Sequence, residues 1–139
     1  EITTLGRGGG DITGAALAAA LQAPVCEICT DVDGVYTADP NAVEGTRLVP
    51  ELSYEEAIEL AASGAKVLHP RAAEICMQYD VPIHVRSTFH RRQGTWIRGG
   101  VMENAAVVGI TSDKKIAKVT LLEVRDEPGL AAAIFRDLA

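Results

Sequence analysis

The chain has 139 residues, 47% of them hydrophobic, which is the length and apolar content of one ordinary domain and argues against intrinsic disorder. Thirteen Lys and Arg against nineteen Asp and Glu give a net charge of −6, so no field draws polyanions, and the balance argues against nucleic acid or an anionic membrane surface as partner. No apolar stretch reaches the roughly 20 residues that span a bilayer and no signal-peptide pattern opens the sequence, which leaves small substrates or protein partners for a soluble chain.

In chain order, four glycines within positions 6–10 are followed by Asp11 and an Ala/Leu-rich run to Leu21. This predicts an irregular glycine loop feeding a helix N-terminus, with Asp11 as N-cap. Val25 to Thr30 is short, apolar and bounded by Pro24 and Asp31, and reads as a strand buried on both faces. The order loop, helix, strand points to an α/β fold. Asp31, Asp33, Gly34, Asp39, Pro40 and Asn41 mark a long connection broken by a brief extended piece, Val35 to Thr37.

Ser53 and Glu56 have capping-box spacing and Leu52 and Ala57 occupy the staple positions, predicting a second helix that stops near Gly64. His69 and Pro70 start a third helix that runs to about Tyr79, with Pro70 in its first turn where the missing N–H is harmless. Val81 to Ser87 and Thr95 to Ile97 read as strands, and Gly99 and Gly100 open a linker. Val107 to Thr111 and Ile116 to Val124 read as further strands, and Pro128 to Leu130 open an amphipathic helix. The abrupt start and the unpaired last helix read as those of an internal fragment.

Cys26, Cys29 and Cys76 are an odd number and form no disulfide framework, which fits a reducing cytoplasm. The Cys26/Cys29 spacing resembles redox and zinc sites, but in a strand the two point to opposite faces and no second pair supplies ligands, so a structural role is expected. His84 and His90 have no nearby carboxylate or Ser partner that would suggest a relay and are read as structural or exposed.

Two loops carry the chemistry. A glycine loop at a helix N-terminus offers N–H groups and the positive dipole end to an anion, Arg7 adds a fork for a carboxylate, and Asp11 could accept from an ammonium group. Together they suit an amino acid, although the same residues also suit a plain turn with a solvated Arg. Thr30, Asp31 and Tyr36 follow a strand's carboxyl end, where open α/β sheets bind nucleotides, and Lys66 could neutralise a transferring phosphoryl group if it faces the same crevice. Self-satisfied Asx turns and an ordinary surface lysine remain the alternatives.

Four stretches in order, Gly6-Arg7-Gly8-Gly9 with Asp11, Thr30-Asp31-Val32-Asp33-Gly34-Val35-Tyr36-Thr37-Ala38-Asp39-Pro40, Ser53-Tyr54-Glu55-Glu56, and Gly64-Ala65-Lys66-Val67-Leu68-His69-Pro70-Arg71, resemble the C-terminal half of the aspartate kinases. Residues 106–139, with Asp113-Lys114 and Asp126-Glu127-Pro128-Gly129, are similar to the start of the first ACT regulatory domain of those enzymes. The resemblance implies a partial amino-acid-kinase (carbamate-kinase-like) three-layer α/β sandwich over 1–98, a linker at 99–105 and an incomplete ferredoxin-like ACT module over 106–139. It implies ATP-dependent phosphorylation of L-aspartate to 4-phospho-L-aspartate on the route to lysine, threonine, methionine and isoleucine. Carried over by position, Arg7, Gly9, Gly10 and Asp11 would hold aspartate, and Asp11 and Lys66 would serve catalysis. Thr30, Asp31, Tyr36, Asn41, Lys66 and Val67 would contact ATP, whose Mg2+ comes with the nucleotide rather than in a protein cage. Asp126 and Gly129 would bind a lysine or threonine effector, coupled through ACT pairing in a homodimer or higher oligomer.

The sequence departs from the family pattern at three places. Gly10 replaces a usual Ser, Asn41 a usual Arg, and Leu130 stands where some lysine-responsive members carry an acidic residue. The family's N-terminal Lys-Phe-Gly-Gly type segment has no counterpart, so the polypeptide alone is expected to be inactive. The alternative is a non-catalytic amino-acid-sensing module with a degenerate kinase half.

Overall fold

A computed structural model describes residues 5–101 and 107–112. Helices α1 (Gly9–Ala20), α2 (Tyr54–Ala62) and α3 (Pro70–Gln78) accompany strands β1 (Cys26–Thr30), β2 (Glu51–Leu52), β3 (Ile83–Ser87) and β4 (Thr95–Ile97). The strands form one mixed sheet in the order β1-β3-β4-β2, with β1–β3 and β2–β4 parallel and β3–β4 antiparallel. This is the α/β architecture the sequence predicts.

Local signals place the helices. Ser53 Oγ accepts from Glu56 N–H at 3.1 Å and Glu56 Oε2 accepts from Ser53 N–H at 2.7 Å, closing the capping box of α2. His69 caps α3 through Nδ1, which accepts from Arg71 N–H at 3.1 Å, with Pro70 as the first helical residue. α1 differs from expectation: its N-cap is Gly8, left-handed at φ 79°, and Gly9 and Gly10 are already helical. Asp11 is therefore not the cap. The Ala-rich run extends the helix back into the glycines, whose N–H groups need no intrahelical partner at a first turn, and the Asp11 carboxylate bonds elsewhere.

α1 and α3 end alike, and each leads into a parallel strand. Gln22 and Asp80, both at φ 51°, follow the last turns, and the N–H groups of Ala23 and Val81 donate back to Ala18 and Cys76, each at 2.9 Å. Pro24 and Pro82 then forbid further helix and start β1 and β3 in register, Cys26 opposite Ile83. The buried alanines 15, 18, 72 and 73 let α1 and α3 approach closely.

One face of the sheet is the core. Leu52, Ile83, Val85 and Ile97 are fully buried, each contributing about 1.5–3 kcal/mol of hydrophobic stabilisation. β1 is not buried on both faces: Cys26 and Ile28 point in, while Glu27 and Cys29 point out. On that outer face His84 stacks on Trp96, with ring centroids 4.2 Å apart and planes 7° apart. Glu27 lies opposite His84 in register and takes a forked bond from Arg86 at 2.8 and 3.0 Å; the guanidinium holds the Glu27 carboxyl below its ordinary range. His84 Nδ1 is 3.5 Å from Glu27, so it does have a carboxylate neighbour, supplied across the strands rather than along the sequence.

The three cysteines are free, as expected. Cys26 and Cys76 are buried, and the neighbouring Cys26 thiol together with burial pushes the Cys76 thiol up.

Residues 107–112 are not a strand. Ile110 N–H donates to Thr37 O at 2.8 Å and Thr111 Oγ1 to Ser63 O at 2.9 Å, so the segment is held as a loop against the connections on either side of α2. The elements expected at 116–124 and 128–139, with Asp126, Gly129 and Leu130, lie outside the described residues.

Candidate functional site

α1 precedes β1 and α3 precedes β3 through tight corners, and the two strands are parallel, so both helices aim their N-termini at the end of the sheet where Thr30 leaves β1. Helix-dipole ends and strand carboxyl ends converge there.

A cavity of about 390 Å³ opens at this end. Thr30, Asp31, Tyr36, Asn41, Lys66 and Val67, the residues expected at the nucleotide, all line it. Lys66 therefore faces the same crevice as the acidic turn. Thr30 Oγ1 donates to Asp31 Oδ1 at 3.1 Å. Tyr36 is held by its hydroxyl, which donates to Asp33 Oδ2 at 3.4 Å, and Asp33 in turn pairs with Arg92 at 2.7 Å. Partial burial and the Asp33 charge push the Tyr36 phenol up, so it stays neutral. Asp39 Oδ1 accepts from both the backbone and the side chain of Asn41, at 2.9 and 3.1 Å, an Asx turn that fixes the rim.

The wall also contains Ile110, Thr111 and Ser112, and Leu60 of α2. Sequence reasoning missed these. No local signal marks a contact between residue 110 and residue 37, which only the folded chain brings together. A second cavity of about 290 Å³, on the outer sheet face at Glu51, Trp96 and Arg98, shares no lining residue with the first.

The glycine corner stands beside the cavity rather than in its wall. Asp11 Oδ2 accepts from the His69 backbone N–H at 3.1 Å. The His69 ring packs so closely on Gly8 that a Cβ there would sit 2.6 Å from its Cδ2. His69 lies two residues beyond Val67, so the corner is held next to the segment that supplies Lys66 and Val67 to the cavity wall. Arg7 and Gly10 are exposed, and space is open around Gly10. Among the described residues, no group of three or more His, Cys, Asp or Glu is placed to hold a metal ion, and no helix is long and apolar enough to cross a membrane.

The model of the amino acid kinase family matches residues 1–87. The chain belongs to this family. Within the amino acid kinases it is similar to the aspartokinase of Mycolicibacterium smegmatis, at 50% identity over 143 residues that take in 100% of this chain and 34% of that protein. Among solved structures it is similar to Escherichia coli aspartokinase III in complex with aspartate and ADP, at 43% identity and a TM-score of 0.69 over 73% of this chain and 23% of that one. The lysine and aspartate complex of the same enzyme matches at 45% identity and a TM-score of 0.61, over 73% and 23%. This amino acid kinase chain spans about a third of the length of the curated relatives it matches.

Proposed function

We propose that the chain is the nucleotide-side part of an aspartate kinase, whose full-length form transfers the γ-phosphate of ATP to the side-chain carboxylate of L-aspartate, giving 4-phospho-L-aspartate. The observation that carries this reading is the convergence of Thr30, Asp31, Tyr36, Asn41, Lys66 and Val67 on one cavity beside the glycine corner. Similarity along the whole chain to proteins named aspartokinase supports the substrate.

Thr30 and Asp31 offer polar groups to ribose or base, Tyr36 an aromatic face, and Lys66 a cation for the phosphates, whose Mg2+ arrives with ATP. The N–H groups of Gly9 and Gly10, the positive end of α1 and the Arg7 fork receive the carboxylates of aspartate, with Asp11 toward its ammonium. Positioning and charge, rather than covalent chemistry by the protein, carry such a transfer. The division into 1–98, a linker at 99–105 and an ACT module over 106–139 belongs to the same reading. So do lysine or threonine control through Asp126 and Gly129, an oligomer paired through ACT modules, and a cytoplasmic location. The complex of the similar E. coli enzyme with lysine supports an amino-acid effector.

The test is ATP-dependent phosphoryl transfer by the full-length enzyme, read as the hydroxamate trapped from the acyl phosphate with aspartate or glutamate as acceptor and as UDP formation with UMP. Turnover with aspartate alone supports the reading. Turnover only with glutamate or UMP, or calorimetric heat from lysine or threonine with none from ATP·Mg, contradicts it.

A further inference from the structure

Three contacts meet on His69. Its backbone N–H donates to Asp11 Oδ2 at 3.1 Å, and its Nδ1 accepts from Arg71 N–H at 3.1 Å. The Cδ2 edge of its ring lies on Gly8, where a Cβ would stand at 2.6 Å. Capping α3 requires only the second of these contacts, so the other two point to a further role. Gly8 is the left-handed N-cap of α1 and sets the direction of the Gly9 and Gly10 N–H groups. On the other side, Leu68 is buried at 6% exposure and anchors the segment that carries Lys66 into the cavity.

We infer that His69 is a positioning residue for phosphoryl transfer: its ring and backbone hold the Gly8 turn of the acceptor side at a fixed separation from the Lys66 segment of the donor side. The inference rests on the aspartate-kinase reading. The physical need is plain, because in-line transfer between two separately bound substrates depends on their spacing, and a misplacement of about 1 Å costs on the order of 10²-fold in rate. Gly8 is demanded twice over, by its positive φ and by the ring against it.

The test uses the full-length enzyme, with kcat, KM for aspartate, KM for ATP and thermal unfolding measured for wild type, His69→Ser, Gly8→Ala and Gly8→Ala/His69→Ala. Ser keeps a side-chain acceptor for the first turn of α3 and caps helices well, but has no atom beyond Oγ to stand where Cδ2 meets Gly8. His69→Ser is expected to unfold near the wild-type temperature, yet to lose roughly tenfold or more in kcat and raise the aspartate KM about threefold, with the ATP KM within about twofold. A residue that only capped α3 would leave these kinetic values unmoved in the Ser variant. Gly8→Ala should be similarly impaired, and the double variant no worse than Gly8→Ala alone, because the ring that the methyl meets is gone and only the strain of the positive φ remains. Wild-type kinetics in His69→Ser, or losses that multiply in the double variant, would overturn the inference while leaving the kinase reading intact. No turnover of aspartate by the wild-type enzyme would overturn both.

Discussion

The carboxylate of Asp11 bonds the backbone N–H of His69 at 3.1 Å, tying the first turn of α1 to the first turn of α3 across 58 residues of sequence. The bond explains why a residue well suited to capping its own helix does not do so. Tertiary structure offers the carboxylate a donor that would otherwise be half-buried and unpaired. It also sets the glycine corner beside the segment that leads from Lys66.

Asp11→Ala should therefore cost roughly 1–3 kcal/mol, the range for stranding a partly buried donor. Asp11→Asn keeps an acceptor oxygen and should stay within about 1 kcal/mol of wild type while losing the charge proposed to face the substrate ammonium. Urea unfolding gives the first comparison and the aspartate KM of the full-length enzyme the second. Equal stability losses in both variants would mean that the bond to His69 does not form.

Two of the three departures from the family pattern, Gly10 and Asn41, are structurally open to reversal. Among the described residues nothing lies within 4 Å of a Cβ at Gly10, and its helical backbone suits a serine. Gly10→Ser should thus stabilise the helix by about 0.5 kcal/mol and lower the aspartate KM through the added hydroxyl. Asn41 lines the cavity, so Asn41→Arg adds a cation there and should tighten ATP by about tenfold at low salt, and by less as salt rises. Urea unfolding and the aspartate KM of the full-length enzyme check the first variant, and nucleotide titrations at two ionic strengths check the second.

Thr95 is fully buried and joins three parts of the chain: its hydroxyl donates to Val49 O at 2.6 Å and accepts from Val35 N–H at 2.9 Å. Thr95→Val strands both backbone groups and should cost roughly 2–4 kcal/mol in urea unfolding, well beyond an isosteric exchange. Because Val35 adjoins Tyr36, the ATP KM should rise as well.

Tyr54 supplies a pH dependence. Its hydroxyl is buried and has no hydrogen-bond partner among the described residues, and burial, with Asp80 and Cys76 adding to it, pushes its pKa from 10.0 up to about 12. A raised folded-state value means that the unfolded chain loses this proton first, so the stabilisation is complete below pH 10 and disappears as pH rises toward 12. Tyr54→Phe removes the titrating group. Its unfolding free energy should be flatter than wild type across that alkaline window, and equal or higher near neutrality because no orphan hydroxyl remains. Parallel alkaline limbs in the two proteins would contradict this.

What was legible in the sequence was local. Ser53 with Glu56, and His69 with Pro70, announce helix starts because cap chemistry acts within three residues. The acidic turn from Thr30 to Asn41 and the lysine at 66 could be named, and they do meet in one cavity. Glu51–Leu52 was missed as a strand because two residues carry no periodicity; only the parallel register with Trp96 and Ile97 defines it. The outward face of β1 was misread because Cys29 is apolar in composition yet exposed. The loop at 107–112 looked like a strand because its valines and isoleucine satisfy a propensity that hydrogen bonds to Thr37 and Ser63 override.

The proposed function puts a nucleotide in the cavity at this end of the sheet and an amino-acid acceptor at the glycine corner. A crystal structure of the full-length enzyme with ADP, Mg2+ and aspartate tests both placements at once. ADP is expected against Thr30, Asp31, Tyr36 and Lys66, and the aspartate carboxylates at Arg7 and the first turn of α1. ADP bound away from the cavity, or aspartate bound away from that turn, would contradict it.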